Sequence, residues 1–588
     1  MTLQGLRERA LALHRAGELA EAERIYAEVL RHDPADWQVH LSLGGALLAL
    51  RRHREALASF AAALALRPDC VEAHHGRGMA LQHLQQPEAA LASFDAALAL
   101  QPLSADLCVS RGNALRRLQR VPEALSSYER ALALQPSLAV AHNNRALILQ
   151  ALGRHREAAQ SYERALALQP NSAHVHNNLG TVQCELGEPA AAVANYRRAL
   201  ELQPGMRGVH GNLGNALRDL QRPDEALTQY ELALQEAPND AAAHCHRGNA
   251  LFDLKRIPEA VASFDRAIAL DPKHAQAHLN KGLCLLLCGD MAQGLPLYEW
   301  RKALSGHRTP ALPGKAWLGE EEIAGRTLLL YADQALGDTI QFSRYARMLE
   351  ARGARVVLAV QPQLRELLRG LSPTLRIVAA GEGIDPSEPC DYHCALASLP
   401  LAFRTRLTSI PAAVPYLSAD PSRVERWRAA LGPTGLKIGI AWQGSRNRID
   451  IGRSAPLQQF ARLGAVPGVR LVSLQKGEGL EELRRAAGRI PIEIPAEPFD
   501  EGGQAFLDSA ALMTVLDLVI ACDNAVAHLA GALGRPTWIA LKDVPDWRWL
   551  LERTDCPWYP SVRLFRQPRR GDWQSVFTDL HAELARWA

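Results

Sequence analysis

Four short stretches of this 588-residue chain carry residue types suited to phosphate and proton chemistry. In LLLYADQALGDTIQFSRY, residues 328–345, an aliphatic run leads through Ala335 and Gly337 to Asp338 at a helix start. A glycine there lets backbone approach a ligand, and a carboxylate there serves as a helix cap or as a general base. AWQGSRNRIDIGRSAPL follows a second aliphatic run and carries Gly444, Arg446, Arg448 and Arg453 before a helix. Cations beside a glycine-freed backbone suit a diphosphate, and arginines are equally common on plain surface. SLQKGEG brings Lys476 and Gly477 to the end of a third run, with the same two readings. In LVIACDNAVAHLAGALGRPTW the strand delivers Asp523 and Asn524 to the start of a small-residue helix, with His528 one turn in. Amides at such a helix end hold phosphate without a metal. The chain lacks GxxxxGK[ST] and the GxGxxG spacing at these places, so neither a P-loop ATPase nor a dinucleotide oxidoreductase is supported.

These loops need strands to position them. From residue 326 the chain alternates TLLLYA, ARVVLAV, LRIVAA, CDYHCALASL, LKIGIAW, RLVSLQ, PIEIP, LDLVIACD, PTWIAL and VRLF with helical stretches. Aliphatic runs separated by helices predict parallel strands covered on both faces, a doubly wound α/β architecture. The proline-rich stretch RTRLTSIPAAVPYLSADPSRVERW divides them into two sheets, giving one lobe at 326–420 and a second at 421–588. Ligands in such folds bind beyond the carboxyl ends of the strands, where the four stretches lie.

The first half repeats one helical unit. Proline recurs at Pro34, Pro68, Pro102, Pro136, Pro170, Pro204, Pro238 and Pro272, always 34 apart. A small-residue column runs through Ala22, Ala56 and Ala90 and onward, with an aromatic four residues later, and a second runs from Gly44 to Gly282. Small side chains let two helices approach closely, the aromatic fills the remaining gap, and proline ends the second helix. This resembles the tetratricopeptide repeat (TPR) family: about nine units across 1–308, the last degenerate with Gly294 and Tyr298, then a connector at 309–325. Stacked pairs form a superhelix suited to an extended partner.

Two polar columns face that groove. Histidine recurs from His40 to His278, but neighbouring helices lie about 8–10 Å apart, too far to share a zinc ion, so the rings are expected to pack between helices and no metal is assigned. Asn144, Asn178, Asn212 and Asn280 form an amide ladder that either pairs with an extended peptide or is a tolerated polar face. At this repeat position the chain resembles the protein O-GlcNAc transferases, whose asparagines form a peptide-binding ladder.

The ordered set YADQALGDTIQFSRY, GIAWQGSRNRIDIGRSAPL, PGVRLVSLQKG, LDLVIACDNAVAHLAGALG and PDWRWLLERTDCPWYPSVRLFRQ, over about 325–585, also carries a resemblance. It resembles the glycosyltransferase domain that follows TPR repeats in many bacterial proteins. That domain is similar to the ADP-heptose:lipopolysaccharide heptosyltransferases of glycosyltransferase family 9, which have a GT-B fold of two Rossmann-like lobes. The resemblance implies Asp338 as catalytic base, Arg453 near the donor phosphates, and Asp523, Asn524, Ala525 and His528 around the nucleotide sugar. Related domains carry glycine at the position of Ala335 and threonine at that of Asn524. The expected activity is metal-independent transfer from a nucleoside-diphosphate sugar to a protein held by the repeats. Gly337, Gly444 and Lys476 complete the expected donor site. A heptosyltransferase-like enzyme of lipopolysaccharide or surface-glycan assembly, and a non-catalytic TPR adaptor with a degenerate transferase domain, are the alternatives.

Composition sets the bounds. A formal charge of +3 advertises no nucleic-acid partner, and the 48% hydrophobic and 22% charged content is that of a globular protein. No window approaches a membrane span and the charged start is unlike a signal peptide, so a cytoplasmic location is expected. Ten scattered cysteines fit a reducing compartment, and Cys390, His393 and Cys394 are expected in a strand. Trp547, Trp549, Trp558 and Tyr559 are expected to clamp the last helix across the two lobes, with stacking on a sugar ring as the alternative.

Overall fold

The computed structural model describes residues 2–304, 312–380, 390–444, 452–486, 490–496, 499–500 and 505–588. Chain contacts divide it into two compact units, 1–238 and 239–588.

The first unit is a run of seven helix pairs, from Leu3–Ala16 with Leu19–His32 to Val209–Asp219 with Pro223–Glu236. Each second helix stops at the residue before the repeating proline; Asp33, Arg67 and Gln101 leave the helical region at φ −137°, −138° and −131°. The proline ring forbids α geometry to its predecessor, so the sequence period becomes the structural period. Left-handed residues recur with the same 34-residue period at the turn inside each pair, at Gly17, Arg51, Gln85, Gln119, Gly153, Gly187 and Gln221. The small column is a contact column. A Cβ at Gly78 would lie 2.5 Å from the Phe94 ring, and one at Gly112 would lie 2.6 Å from Tyr128. The histidine column does more than pack between helices. Nε2 of His40, His74, His142 and His176 donates to the carbonyl of the proline six residues earlier, at 2.9 to 3.1 Å, tying each turn to the next helix.

The second unit holds two more helix pairs, Ala241–Asp253 with Ile257–Leu270 and Ala275–Leu287 with Met291–Tyr298, followed by two parallel sheets. The first contains β1 (Lys315–Ala316), β2 (Thr327–Tyr331), β3 (Arg355–Val360), β4 (Arg376–Ala379) and β5 (Tyr392–Ala395), ordered β1-β5-β2-β3-β4. The second contains β6 (Leu436–Ala441), β7 (Val469–Ser473), β8 (Ile492–Glu493), β9 (Leu518–Cys522), β10 (Thr537–Leu541) and β11 (Val562–Arg566), ordered β11-β10-β9-β6-β7-β8. Counted from β6, that is the doubly wound order 3-2-1-4-5-6, with its reversal between β6 and β9. The ten strand segments read from sequence all form strands, and every residue of β9 and β10 is buried, as a two-sided parallel sheet requires. His393 and Cys394 lie in β5 as expected, whereas Cys390 stands two residues before it.

Three features add to the expected organisation. The compact unit begins at 239, so the last two helix pairs of the expected repeat region 1–308 pack with the sheets. The connector contributes Lys315–Ala316, which pairs with Tyr392 and His393 as an edge strand. The last helix, Trp573–Trp587, stays with the second sheet, burying Val576, Phe577, Leu580 and Leu584 beside Phe460. It is therefore not clamped across the sheets. Among the described residues no helix is long and apolar enough to cross a membrane.

Enlarging the small column should overpack a rigid contact. Gly112→Val is expected to cost about 1–3 kcal/mol and to lower the helical melting midpoint. Gly112→Ala should cost less, since Ala146 already occupies that column in the next repeat. A midpoint unchanged by valine, followed by circular dichroism, would show that the Tyr128 ring yields freely.

Candidate functional site

Within the second unit, the loops beyond the carboxyl ends of both sheets enclose a cleft of about 850 Å³. Gly337, Asp338, Gly444, Arg453, Lys476, Asp523, Asn524, Ala525 and His528 all line it, together with Tyr298 and Arg548. Arg446 and Arg448 lie outside the described residues.

The local geometry revises several of the expected roles. Asp338 is not the cap of its helix, Leu336–Phe342: Ala335 holds that position, and Asp338 Oδ2 accepts the Ala335 N–H at 3.1 Å. Its Oδ1 is paired with Arg548 Nη2. Burial raises the Asp338 carboxyl above its ordinary value, against the pull of Arg548. Gly337 makes its close approach to protein: a Cβ there would sit 2.8 Å from His528 Cδ2. His528 is buried, with Nδ1 3.0 Å from the Tyr559 hydroxyl and its ring stacked 5.1 Å from Trp549. Burial, reinforced by the Arg548 charge, pushes its pKa down to about 3, so the imidazole is neutral. Asn524 caps its own helix, Ala525–Ala532, with Oδ1 accepting from Val526 and Ala527 N–H at 3.0 and 3.3 Å. Those two amides are thus satisfied internally, contrary to a phosphate held by the whole helix end. Lys476 Nζ donates to the Phe499 carbonyl, and Gly444 N–H donates to Ser454 Oγ at 3.2 Å.

The charged groups form one chain across the cleft. Asp338 pairs with Arg548, Arg548 with Asp546 at 2.7 Å, and Arg453 lies 3.3 Å from both Asp546 and Asp523. Asp546 is held down to about 2 because the two arginines outweigh its burial, and Arg453 is raised chiefly by Asp523. Two glutamines brace the loops. Gln361 donates to the Gln334 carbonyl at 2.8 Å and accepts from Thr339 Oγ1 at 2.9 Å. Gln475 accepts the N–H groups of Trp442 and Gln443 at 3.1 and 3.0 Å and donates to the Gln443 carbonyl at 2.9 Å. The sequence reading gave neither glutamine nor Arg548 a role; for the glutamines, position just past β3 and β7 is the cue that could have found them, whereas Arg548 lies seven residues beyond β10.

The four C-terminal aromatics are buried and not open to a sugar face. Trp547 packs edge-on to Tyr298 at 6.0 Å and Trp558 to Phe342 at 5.8 Å. Tyr298, the aromatic of the last repeat, reaches the cleft, with its phenol raised to about 12 by burial. Beside it, the buried Arg301 bonds Asp333 Oδ2 at 2.8 Å, Glu299 Oε1 at 2.6 Å and Ser398 Oγ at 2.7 Å.

The asparagine ladder is engaged within the protein. Asn144 Nδ2 donates to Asn113 at 3.0 Å, Asn212 Nδ2 to Asn177 at 3.3 Å and Asn280 Nδ2 to Asn249 at 2.5 Å. Asn178 Oδ1 accepts from Asn177 at 3.4 Å, and Asn144 is only 8% exposed. One amide hydrogen of each donor is therefore spent linking adjacent repeats, and a peptide would meet a partly satisfied ladder.

Tetratricopeptide repeat family models match residues 13–80, 103–171, 137–204, 177–241, 212–273 and 245–300. The N-terminal helices are a TPR solenoid. The chain is 32% identical over 312 residues to Protein FlbA of Caulobacter vibrioides, across 49% of this chain and 52% of that protein. It thus spans about half the length of the curated relative it matches. Among solved structures, YrrB, titled a TPR protein with an unusual peptide-binding site, is 26% identical with a TM-score of 0.30, covering 31% of this chain and 95% of that one. PilF of Pseudomonas aeruginosa is 22% identical with a TM-score of 0.32, covering 35% and 94%.

The Arg301 cluster ties the last repeat to the first sheet, and removing its cation strands two buried carboxylates. Arg301→Ala is expected to destabilise the second unit by about 3–5 kcal/mol in thermal unfolding followed by tryptophan emission. Glu299 is half-buried, which opposes its charge, yet Arg301 and Lys302 hold it below its ordinary value of 4.5. Its contribution is complete above that value and lost as pH falls through the folded one. Glu299→Gln should flatten that acid-side loss; an unaltered pH dependence would exclude Glu299 as its source.

Proposed function

We propose that the second unit transfers a sugar from a nucleoside-diphosphate donor to a hydroxyl of a protein partner, and that the TPR repeats bind this partner. The observation that carries the reading is convergence: nine residues selected from four separate loops surround one cleft. Its volume is in the range of small-molecule sites, and it lies at the carboxyl ends of two doubly wound sheets.

In this mechanism Asp338 takes the proton of the acceptor hydroxyl while its oxygen attacks the anomeric carbon. The bond from that carbon to the diphosphate oxygen breaks, and the pair of electrons leaves with the diphosphate. Arg453 and Lys476 neutralise the charge that develops there. A single displacement inverts the anomeric configuration. The described first-sheet wall, made of Gln334, Ala335, Gly337, Asp338, Gln361 and Gln363, has no cation. That supports a neutral hydroxyl acceptor over a phosphorylated saccharide. Extended solenoid surfaces suit peptide segments, which supports a polypeptide.

Asp338→Asn should lower transfer by a factor of about 10² to 10⁴ while calorimetric binding of UDP or ADP stays within a few-fold of wild type. Undiminished turnover would remove Asp338 from the mechanism. Binding of no nucleotide by the wild type would favour an adaptor.

A further inference from the structure

Arg548 hydrogen-bonds through all three of its guanidinium nitrogens in the cleft, and the sequence reading gave it no role. It stands in the turn Trp547–Trp549 after β10 and is 5% exposed. Its Nε donates to Gln341 Oε1 at 2.7 Å, Nη1 to Asp546 Oδ1 at 2.7 Å, and Nη2 to Asp338 Oδ1. Its Cζ lies 5.2 Å from the Phe342 ring and 4.8 Å from that of Trp547. Three of the groups it touches, Asp338, Gln341 and Phe342, belong to the helix Leu336–Phe342. The rigid fork of a guanidinium suits such a task, because it fixes direction as well as charge.

We propose that Arg548 is a positioning residue for sugar transfer: its guanidinium fixes the Asp338 carboxyl group in the cleft and favours its ionised form as the acceptor hydroxyl arrives. This rests on reading the cleft as a transferase site. Asp338 Oδ2 is already held by the Ala335 N–H, so Arg548 completes a clamp on both oxygens. The groups facing Asp338 are Arg548 and Asp546 after β10, Asp333 after β2, Arg453 before the helix that follows β6, Tyr298 of the last repeat, and the neutral His528. Burial, Asp546 and Asp333 favour the protonated acid; Arg548 and, more weakly, Arg453 favour the carboxylate. Without Arg548 the balance moves towards the acid, and the base is lost at a higher pH.

The test uses the full chain with UDP-glucose, UDP-N-acetylglucosamine and ADP-heptose, following nucleoside-diphosphate release to water from pH 4 to 9, with calorimetry against UDP and ADP. Arg548→Gln is expected to lower kcat by about 30-fold or more at neutral pH and to move the acid limb upward by about one pH unit. KM and diphosphate affinity should stay within about threefold. Arg548→Lys should restore most of the limb position but less of kcat, since it supplies charge without the fork. Should the glutamine variant fail to fold by circular dichroism, the lysine variant carries the comparison. An acid limb that stays in place overturns the proposal, as does diphosphate affinity lost together with turnover, which would make Arg548 a phosphate ligand. Wild-type protein that binds diphosphate but releases none overturns the base role of Asp338 and that of Arg548 with it. Wild-type protein that binds neither nucleotide overturns the transferase reading itself, a failure visible before any variant is made.

Discussion

Two short helices, Leu336–Phe342 and Ala525–Ala532, meet at Gly337, where a Cβ would stand 2.8 Å from His528 Cδ2 and 3.6 Å from the Ala525 Cα. Each helix follows a strand that flanks its sheet's reversal point, β2 in the first and β9 in the second, so their contact turns the two carboxyl edges towards each other. Any side chain at Gly337 would wedge that seam open. The seam also explains the state of His528. A ring packed this tightly, with Tyr559 on one nitrogen and Trp549 across its face, loses the hydration its cation would need. The imidazole is therefore a neutral spacer in the seam, and Asp338 is the group left to exchange protons beside it.

The two sheets reinforce their ligand-side loops by the same device. Gln361, just past β3, spans to Gln334 past β2, and Gln475, just past β7, spans to Trp442 and Gln443 past β6. A carboxamide donates and accepts at once, so one side chain satisfies backbone groups that the end of a strand would leave open. The first sheet has a further lock. Its reversal point between β2 and β5 is filled by Arg301 from the turn after the last repeat, which bonds Asp333 after β2 and Ser398 after β5. Hence the repeats do not simply precede the α/β unit in the chain; the last two pairs complete it, and Tyr298 brings a repeat side chain into the cleft.

What was legible in the sequence follows from how local each signal is. The repeat length and helix ends are written in the X-Pro junctions, and the strands in aliphatic runs, so both were readable residue by residue. Residues expected around the donor shared one property, position just past a strand end, and that sufficed to gather them. Their contacts were not legible. Whether Asn524 turns its carboxamide to its own helix or outward, and whether Gly337 meets a ligand or His528, depends on a partner segment about 190 residues away in sequence. The asparagine column shows the same limit, since pairing between adjacent repeats and pairing with a peptide require the same spacing. Periodicity marks where helices repeat, to about 308, whereas the compact unit that starts at 239 depends on the long-range Arg301 and Tyr298 contacts.

The charge chain across the cleft divides its two arginines by role. Arg548 is 6% exposed at its side chain and closes short bonds on three fixed acceptors, so displacing it would leave buried carboxylates unpaired, a cost of several kcal/mol. Arg453 is 23% exposed, and both its carboxylate contacts are long, at 3.3 Å. Long contacts in a partly hydrated setting give up little when a stronger anion arrives. A diphosphate oxygen approaching Arg453 therefore exchanges a weak pair for a charge-assisted one, whereas the same anion gains nothing by dislodging Arg548. Counted formally, three carboxylates and two guanidiniums leave the chain one negative charge. In the transfer we propose, a diphosphate bound without metal draws its compensation from Lys476, the Arg453 fork and whatever amides the Asn524 cap leaves open. On that reading the leaving group lies on the second-sheet wall and the first-sheet wall, with Asp338, serves the acceptor.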